Sequence, residues 1–255
     1  RTGPCTDAIL EASVARVVVG VVDPDLAVTG RGIQALRDSG VTVDVGVAAD
    51  EVGDQLAPYL HHRTTGRPYV VVKLAVTLDG RTAAADGTSI WVTGEEARDD
   101  VHQLRAESDA VCVGAGTVRA DDPRLTVRSW PGGGPPPEGV IDPRRIVLGS
   151  IPDSARILPA ESRDGDLGVL LESLGSEGVV QLLVEGGSDV AGQFHRAGLV
   201  ERYVVYLAPA LMGGDDGRPL FTGPGALTMA DLRRGRFATV TPLGNDLRID
   251  FVLDP

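Results

Sequence analysis

Apolar and polar positions along the chain follow two periods in turn. TDAILEASVA (6–15) has helical spacing, RVVVGVVDPD (16–25) reads as a strand stopped at Asp23-Pro24, and GRGIQALRDSG (30–40) as a helix ended by glycine. VTVDVGVA (41–48) predicts a second strand, and DEVGDQLAPYLHHR (50–63) a helix weakened by its Gly and Pro. TTGRP (64–68) has the composition of a linker. A longer series follows. YVVVKLAVT (69–77) is almost continuously apolar, as a strand covered on both faces must be. Thr93 and Glu96 have capping-box spacing for a helix over GEEARDDVHQLRAES (94–108).

Further strands are predicted over DAVCVGAG (109–116), RRIVLGS (144–150), VVQLLVEGG (179–187) and ERYVVYLAP (201–209). Helices are predicted over GDLGVLLESLGSEG (165–178) and SDVAGQFHRAG (188–198), and FATVTPLGNDLRIDFVLD (237–254) reads as a hairpin turning at GND. No repeat of fixed period appears. The alternation is that of an α/β protein: a small α/β segment over residues 1–66, then a larger α/β domain over 67–255.

Composition narrows the function classes. A 42% hydrophobic content supports a packed core, and no apolar run reaches the ~18 residues of a membrane helix. The first residues lack the pattern of a signal peptide. A formal charge of -12 argues against a nucleic-acid partner or an anionic membrane, so an anionic ligand requires a local basic cluster. The two cysteines, Cys5 and Cys112, offer no disulfide framework, which fits a cytoplasmic protein. The 24 basic residues comprise 23 arginines and one lysine, Lys73, which stands inside the apolar run 69–77.

An ammonium in such a strand is costly to bury unless it is paired or used. Lys73 therefore either snorkels from a sheet edge or points into a cleft. In VVQLLVEGGSDVAGQF a strand ends at Glu185, and Gly186 and Gly187 lead directly into a helix whose free N–H groups suit a phosphate. The spacing with Gly192 is not that of the Rossmann fingerprint. VCVGAGTVRADDPRLTVR (111–128) is a second strand-to-glycine edge, followed by Asp121, Asp122 and Arg128; on its own it reads equally as a solvated turn. These two edges, Lys73, and the helix bearing Arg98 and Arg105 fit one cleft for a phosphorylated ligand beside a dinucleotide. His61, His62, His102 and His195 read as surface or internally satisfied side chains, with no zinc-site spacing among them.

KLAVTLDGRTA, GTSIWVTG, VCVGAGTVRADDPRLTVR, LLVEGGSDVAGQF and YLAPALMGG, in this order, resemble the reductase domain of the bifunctional riboflavin-biosynthesis deaminase–reductases. The first residues, through GRGIQAL, resemble the end of that family's cytidine-deaminase-like domain. The resemblance implies a dihydrofolate-reductase-like mixed sheet with flanking helices, preceded by a partial cytidine-deaminase-like α/β/α segment. It implies NADPH-dependent reduction of the ribosyl group of 5-amino-6-(5-phosphoribosylamino)uracil, and its preference for NADPH over NADH. Carried over by motif, NADPH would meet Ala75, Trp91, Thr117, Asp121, Ser150 and the run Gly186, Gly187, Ser188, Asp189, Val190, Ala191 and Gly192. The pyrimidine phosphate would meet Ser89, Arg105, Leu125, Arg128 and Glu185, with Lys73 and Glu185 as the catalytic pair.

The family's deaminase zinc is held by a histidine and two cysteines. Only Cys5 has a counterpart here, so its zinc role requires ligands before Arg1. Residues 154–171 leave little room for a strand usual in the family, so near 158–166 either a stretch is absent from this sequence or the sheet edge is trimmed. A homo-oligomer is expected through the reductase domain. Two other readings fit the residues: a reductase of the same fold acting on a pterin or a different substrate with NADPH, and a catalytically silent chain that binds only nucleotide or a pathway partner.

Overall fold

A computed structural model describes residues 5–25, 28 and 30–254. The chain forms two compact units, Arg1–Arg67 and Pro68–Pro255. In the first, α1 (Cys5–Glu11), β1 (Arg16–Val19), α2 (Arg31–Asp38) and β2 (Thr42–Val45) precede α3 (Ala49–Gln55) and α4 (Ala57–Thr65). β1 and β2 run parallel, and the core is small: Leu36, Val41 and Val43 are buried, with Ile9, Leu10, Val17, Val19 and Ile33 packed on them. The single helix expected over 50–63 is two, broken at Leu56, where the Pro58 ring supports a new first turn.

The second unit begins with β3 (Tyr69–Thr77), β4 (Arg81–Ala83), α5 (Glu95–Ala106), β5 (Ala110–Gly114) and α6 (Ala115–Asp121). It continues through β6 (Arg144–Leu148), β7 (Glu161–Arg163), α7 (Leu167–Ser176), β8 (Gln181–Val184), α8 (Ser188–Ala197) and β9 (Arg202–Ala208). β10 (Arg218–Pro219), β11 (Gly235–Leu243) and β12 (Asp246–Leu253) complete it. Eight strands make one mixed sheet in the order β11-β12-β9-β3-β8-β5-β6-β7. From β9 to β7 neighbouring strands are parallel, and the β11–β12 hairpin adds antiparallel pairs at one edge. β7, three residues long, is the other edge, so the expected trimming near 158–166 takes the form of a short strand held to β6.

β3 lies in the middle of this sheet, which explains its near-continuous apolar sequence. Val70, Val72, Leu74 and Val76 enter the main core with Cys112, Ile146, Leu182, Val184 and Phe194. Complete burial of each such side chain stabilises by ~1.5–3 kcal/mol. Along β3 only Lys73 and Ala75 retain solvent access. Being two apart, they share one face of the strand. The capping box expected at Thr93 and Glu96 does not form. Gly94 is the N-cap without a side-chain bond, and its N–H donates to Asp246 Oδ2 at 2.6 Å. Asp246, from the closing hairpin, takes the capping role that local sequence assigned to Thr93.

Candidate functional site

The carboxyl ends of β3, β8, β5 and β6 lie along one edge of the sheet, where an α/β sheet commonly presents reactive groups. Glu185 immediately follows β8, and its N–H donates to Cys112 O on β5 at 2.9 Å. Its carboxylate is gripped by Arg105 of α5, with Nε to Oε1 at 2.6 Å and Nη2 to Oε2 at 2.9 Å. The third guanidinium nitrogen, Nη1, donates to Thr126 O at 3.2 Å. Arg105, expected to bind substrate directly, thus has all three nitrogens engaged within the protein. Burial opposes charge on Glu185, but Arg105 outweighs it, with help from Lys73 and His102, and holds the carboxyl below its ordinary range.

Lys73 stands within the field of that ion pair. Burial lowers its pKa; Glu185 pulls it up and Arg105 pushes it down. Its Nζ lies 5.8 Å from the ring centroid of Tyr206, whose backbone pairs in register with Ala75. The Tyr206 hydroxyl donates to Asp100, which also accepts from Arg248 Nη1 at 2.8 Å. Tyr206, Asp100 and Arg248 therefore form a fixed polar floor connecting β9, α5 and β12. Neither Tyr206 nor Asp100 was picked out by motif. Their signal was only a polar tip in an apolar strand and an aspartate on the inner side of α5.

The glycine edges meet through Val190. A Cβ on Gly114 would stand 2.8 Å from Val190 Cγ2, and one on Gly186 2.5 Å from Val190 Cβ. Glycine at both positions is what lets α8 start this close to β5. A Cβ on Gly187 would be 3.7 Å from Thr117 Oγ1, and one on Gly149, before Ser150, 3.0 Å from Ala115 Cβ. The structure thus brings Gly186, Gly187, Thr117 and Ser150 to adjoining strand ends. Gly187 caps the ten-residue helix α8 with no side-chain bond to its first-turn N–H groups, and both Gly187 and Asp189 are exposed. This is a cradle suited to a pyrophosphate.

Further along the expected contact run, side chains turn inward. Ser188 is buried, its hydroxyl donating to Pro219 O at 2.5 Å and lying 3.0 Å from Thr82 Oγ1. Val190 and Ala191 belong to the core, and Gly192 faces Thr222 O. Of the run from Ser188 to Gly192, the side chain of Asp189 alone is exposed, beside the backbone groups of the first turn. Trp91 is 69% exposed with the Arg98 guanidinium 4.6 Å from its ring centroid, and Asp121, the last residue of α6, is also exposed. Ser89 lies in the loop before Trp91, partly exposed.

On the other side of the ion pair runs the segment Arg124–Arg128. Leu125 is buried with φ +53°, a left-handed turn that puts the flanking arginines toward solvent. Burial lowers the Arg128 pKa, and Arg105, Arg124 and Arg156 lower it further. Four arginines thus share one field, with Asp142 as the opposing charge. Arg124, inside the 111–128 motif, and Arg156, outside every motif, are additions to the residues that sequence assigned to the ligand. In a chain of net charge -12, such a cluster is a local concentration of positive charge.

Lys73, the Arg105–Glu185 ion pair and the glycine-lined start of α8 lie along one parallel sheet edge, the arrangement of an α/β enzyme domain. The model of the RibD C-terminal domain matches residues 68–249. The riboflavin biosynthesis protein RibD of Mycobacterium tuberculosis H37Rv is 40% identical over 99% of this chain and 74% of its own length. The structure of Acinetobacter baumannii RibD superposes with a TM-score of 0.89 at 33% identity, covering 100% of this chain and 77% of that one. A Thermotoga maritima protein described as a diaminohydroxyphosphoribosylaminopyrimidine deaminase/5-amino-6-(5-phosphoribosylamino)uracil reductase gives 0.82 at 28% identity, over 99% of this chain and 75% of that one. The chain belongs to the RibD family of riboflavin biosynthesis.

Proposed function

We propose that the second unit reduces the ribosyl group of 5-amino-6-(5-phosphoribosylamino)uracil to a ribityl chain, with NADPH as reductant. The observation that carries this reading is Lys73, an ammonium made more acidic by burial and directed to the same sheet edge as the α8 cradle and the arginine cluster. The Gly114–Gly186–Val190 packing and the uncapped start of α8 fit the pyrophosphate of a dinucleotide. When bound, NADPH would supply a hydride to the C=N or C=O carbon of the ring-opened sugar, whose π electron pair moves onto the heteroatom. Lys73 then protonates the adjacent nitrogen or oxygen, on which the negative charge develops, and regains its proton from water. Glu185 stays ionised beneath Arg105. It is a counter-charge that keeps Lys73 protonated, and not the proton donor. Arg128, with Arg124 and Arg156 beside it, receives the phosphate.

The four-arginine field favours a phosphorylated substrate over a pterin, and the desolvated Lys73 favours catalysis over silent nucleotide binding. The test is consumption of NADPH absorbance with the pyrimidine phosphate. Lys73→Ala should lower turnover at least ~100-fold, the low end of general-acid contributions, while NADPH affinity measured by fluorescence stays within about three-fold. Near-normal turnover in that variant would remove Lys73 from the chemistry.

The first unit reads as the end of a cytidine-deaminase-like segment, since the matched domain model begins at residue 68 while the relatives align over nearly the whole chain. Cys5 is exposed, and the described residues hold no group of three His, Cys, Asp or Glu able to bind a metal ion. The donor set does not fit zinc, so no deamination step is assigned to these residues. Exposure along β11, including Phe237 and Val240, supports a homo-oligomer. No helix among the described residues is long and apolar enough to cross a membrane, in keeping with a cytoplasmic enzyme.

A further inference from the structure

His102 lies one helical turn before Arg105 on α5, so the two side chains share a helix face. It is buried, at 7% exposure, and it accepts the backbone N–H of Arg128 at Nδ1 over 3.1 Å. Arg105 Nη1 lies 3.4 Å from the same nitrogen and also donates to Thr126 O. A backbone N–H is always a donor, so Nδ1 must present its lone pair and the ring proton must sit on Nε2. Segment 126–128 is thus stitched to α5 at two successive points, one by Arg105 and one by His102. Its third anchor is Val127 N–H to Asp142 Oδ1 at 2.7 Å. With the backbone held, the exposed Arg128 side chain starts from a fixed point, and its Nη1 donates to Thr126 Oγ1 of the same stitched segment at 3.3 Å.

We propose that His102 is a positioning residue for phosphate recognition: its Nδ1 lone pair fixes the Arg128 backbone so that the guanidinium is presented to the anion. This deepens the functional reading above and rests on it for the role of Arg128. The ring keeps that lone pair because of its surroundings. Burial, then the Arg105 and Arg128 charges, push its pKa down to about 4, against the opposing pull of the Thr126 carbonyl and Glu185. A protonated ring would set N–H against N–H at Arg128.

The test uses the full chain with His102→Leu, which removes the lone pair at similar size, and His102→Asn, whose Oδ1 can replace Nδ1. In His102→Leu the KM for the pyrimidine phosphate should rise about ten-fold, the effect of stranding one buried donor, with kcat changed less than about three-fold. The inhibition constant of inorganic phosphate should rise in parallel, NADPH affinity should hold, and His102→Asn should restore the KM. Unchanged KM and phosphate inhibition in His102→Leu would overturn the proposal, as would equal losses in kcat and NADPH affinity or failure of Asn to rescue. Should the leucine variant not fold, nitrogen-15 NMR of the wild-type ring decides. Nδ1 must be unprotonated and coupled to the Arg128 N–H, and a proton on Nδ1 would overturn the assignment. A wild-type protein that consumes no NADPH would instead sink the functional reading, while direct titration with inorganic phosphate still compares wild type with the His102 variants.

Discussion

The closest approach between the two glycine edges gives a quantitative test of how the site is assembled. Gly114 has φ −82° and ψ 153°, a backbone any residue adopts, so replacing it with alanine introduces a steric effect alone. The added methyl would sit 2.8 Å from Cγ2 of Val190, which is 6% exposed and held in a stiff β-branched rotamer. Overpacking of this kind costs ~1–3 kcal/mol, and the reduced freedom of the unfolded chain returns ~0.4–1 kcal/mol. Gly114→Ala should therefore destabilise the second unit by roughly 0.5–2 kcal/mol. Val190→Ala removes two buried methyls and should cost ~2 kcal/mol. In the double variant the new methyl enters the vacated space, so the combined loss should fall short of the sum by ~1–2 kcal/mol.

Urea unfolding followed by tryptophan fluorescence measures this unit alone, because both tryptophans, Trp91 and Trp130, lie within it. The single Gly114→Ala change should also weaken NADPH binding, since Val190 belongs to the first turn of α8. Additive stabilities, or a Gly114→Ala protein as stable as wild type, would refute the claim that these glycines set the distance between β5 and α8.

Two further predictions concern charge. Lys73 is the single lysine, so carbon-13 lysine labelling yields one side-chain signal whose titration is unambiguous. It should titrate below an ordinary lysine, and lower still in Glu185→Gln, where the charge raising its pKa is gone; an unmoved or raised midpoint would break the proposed coupling. Asp79 accepts from Thr77 Oγ1 at 2.5 Å and from the Met212 and Gly213 N–H groups, which bring its pKa down to about 2. A carboxyl depressed on folding stabilises above its unfolded value near 3.8, and that stabilisation is lost as pH falls through about 2. The Met212 and Gly213 amide shifts should follow that midpoint, and Asp79→Asn should abolish the titration; a midpoint at the ordinary aspartate value would refute the clamp.

Periodicity and composition alone determined much of this protein. The apolar run 69–77 read as a strand covered on both faces, Gly186-Gly187 after a buried strand implied a close backbone approach, and the lone lysine in that run left a choice between a sheet edge and a cleft, which the central place of β3 in the sheet decides. These are local consequences of burial and backbone geometry. What the tertiary structure decided was partnership between distant segments. Arg105, expected on the substrate, is also the ion-pair partner of Glu185 eighty residues away, and the helix start that Thr93 was expected to cap is satisfied by Asp246 from the last hairpin. His102, which read as a satisfied histidine, proves to hold the backbone of Arg128, and Arg124 and Arg156 enter the same field only through the fold. Hydrogen bonds and charges act over a few ångströms of space, and sequence fixes such distances only within an element. Between elements, the packing of the sheet fixes them.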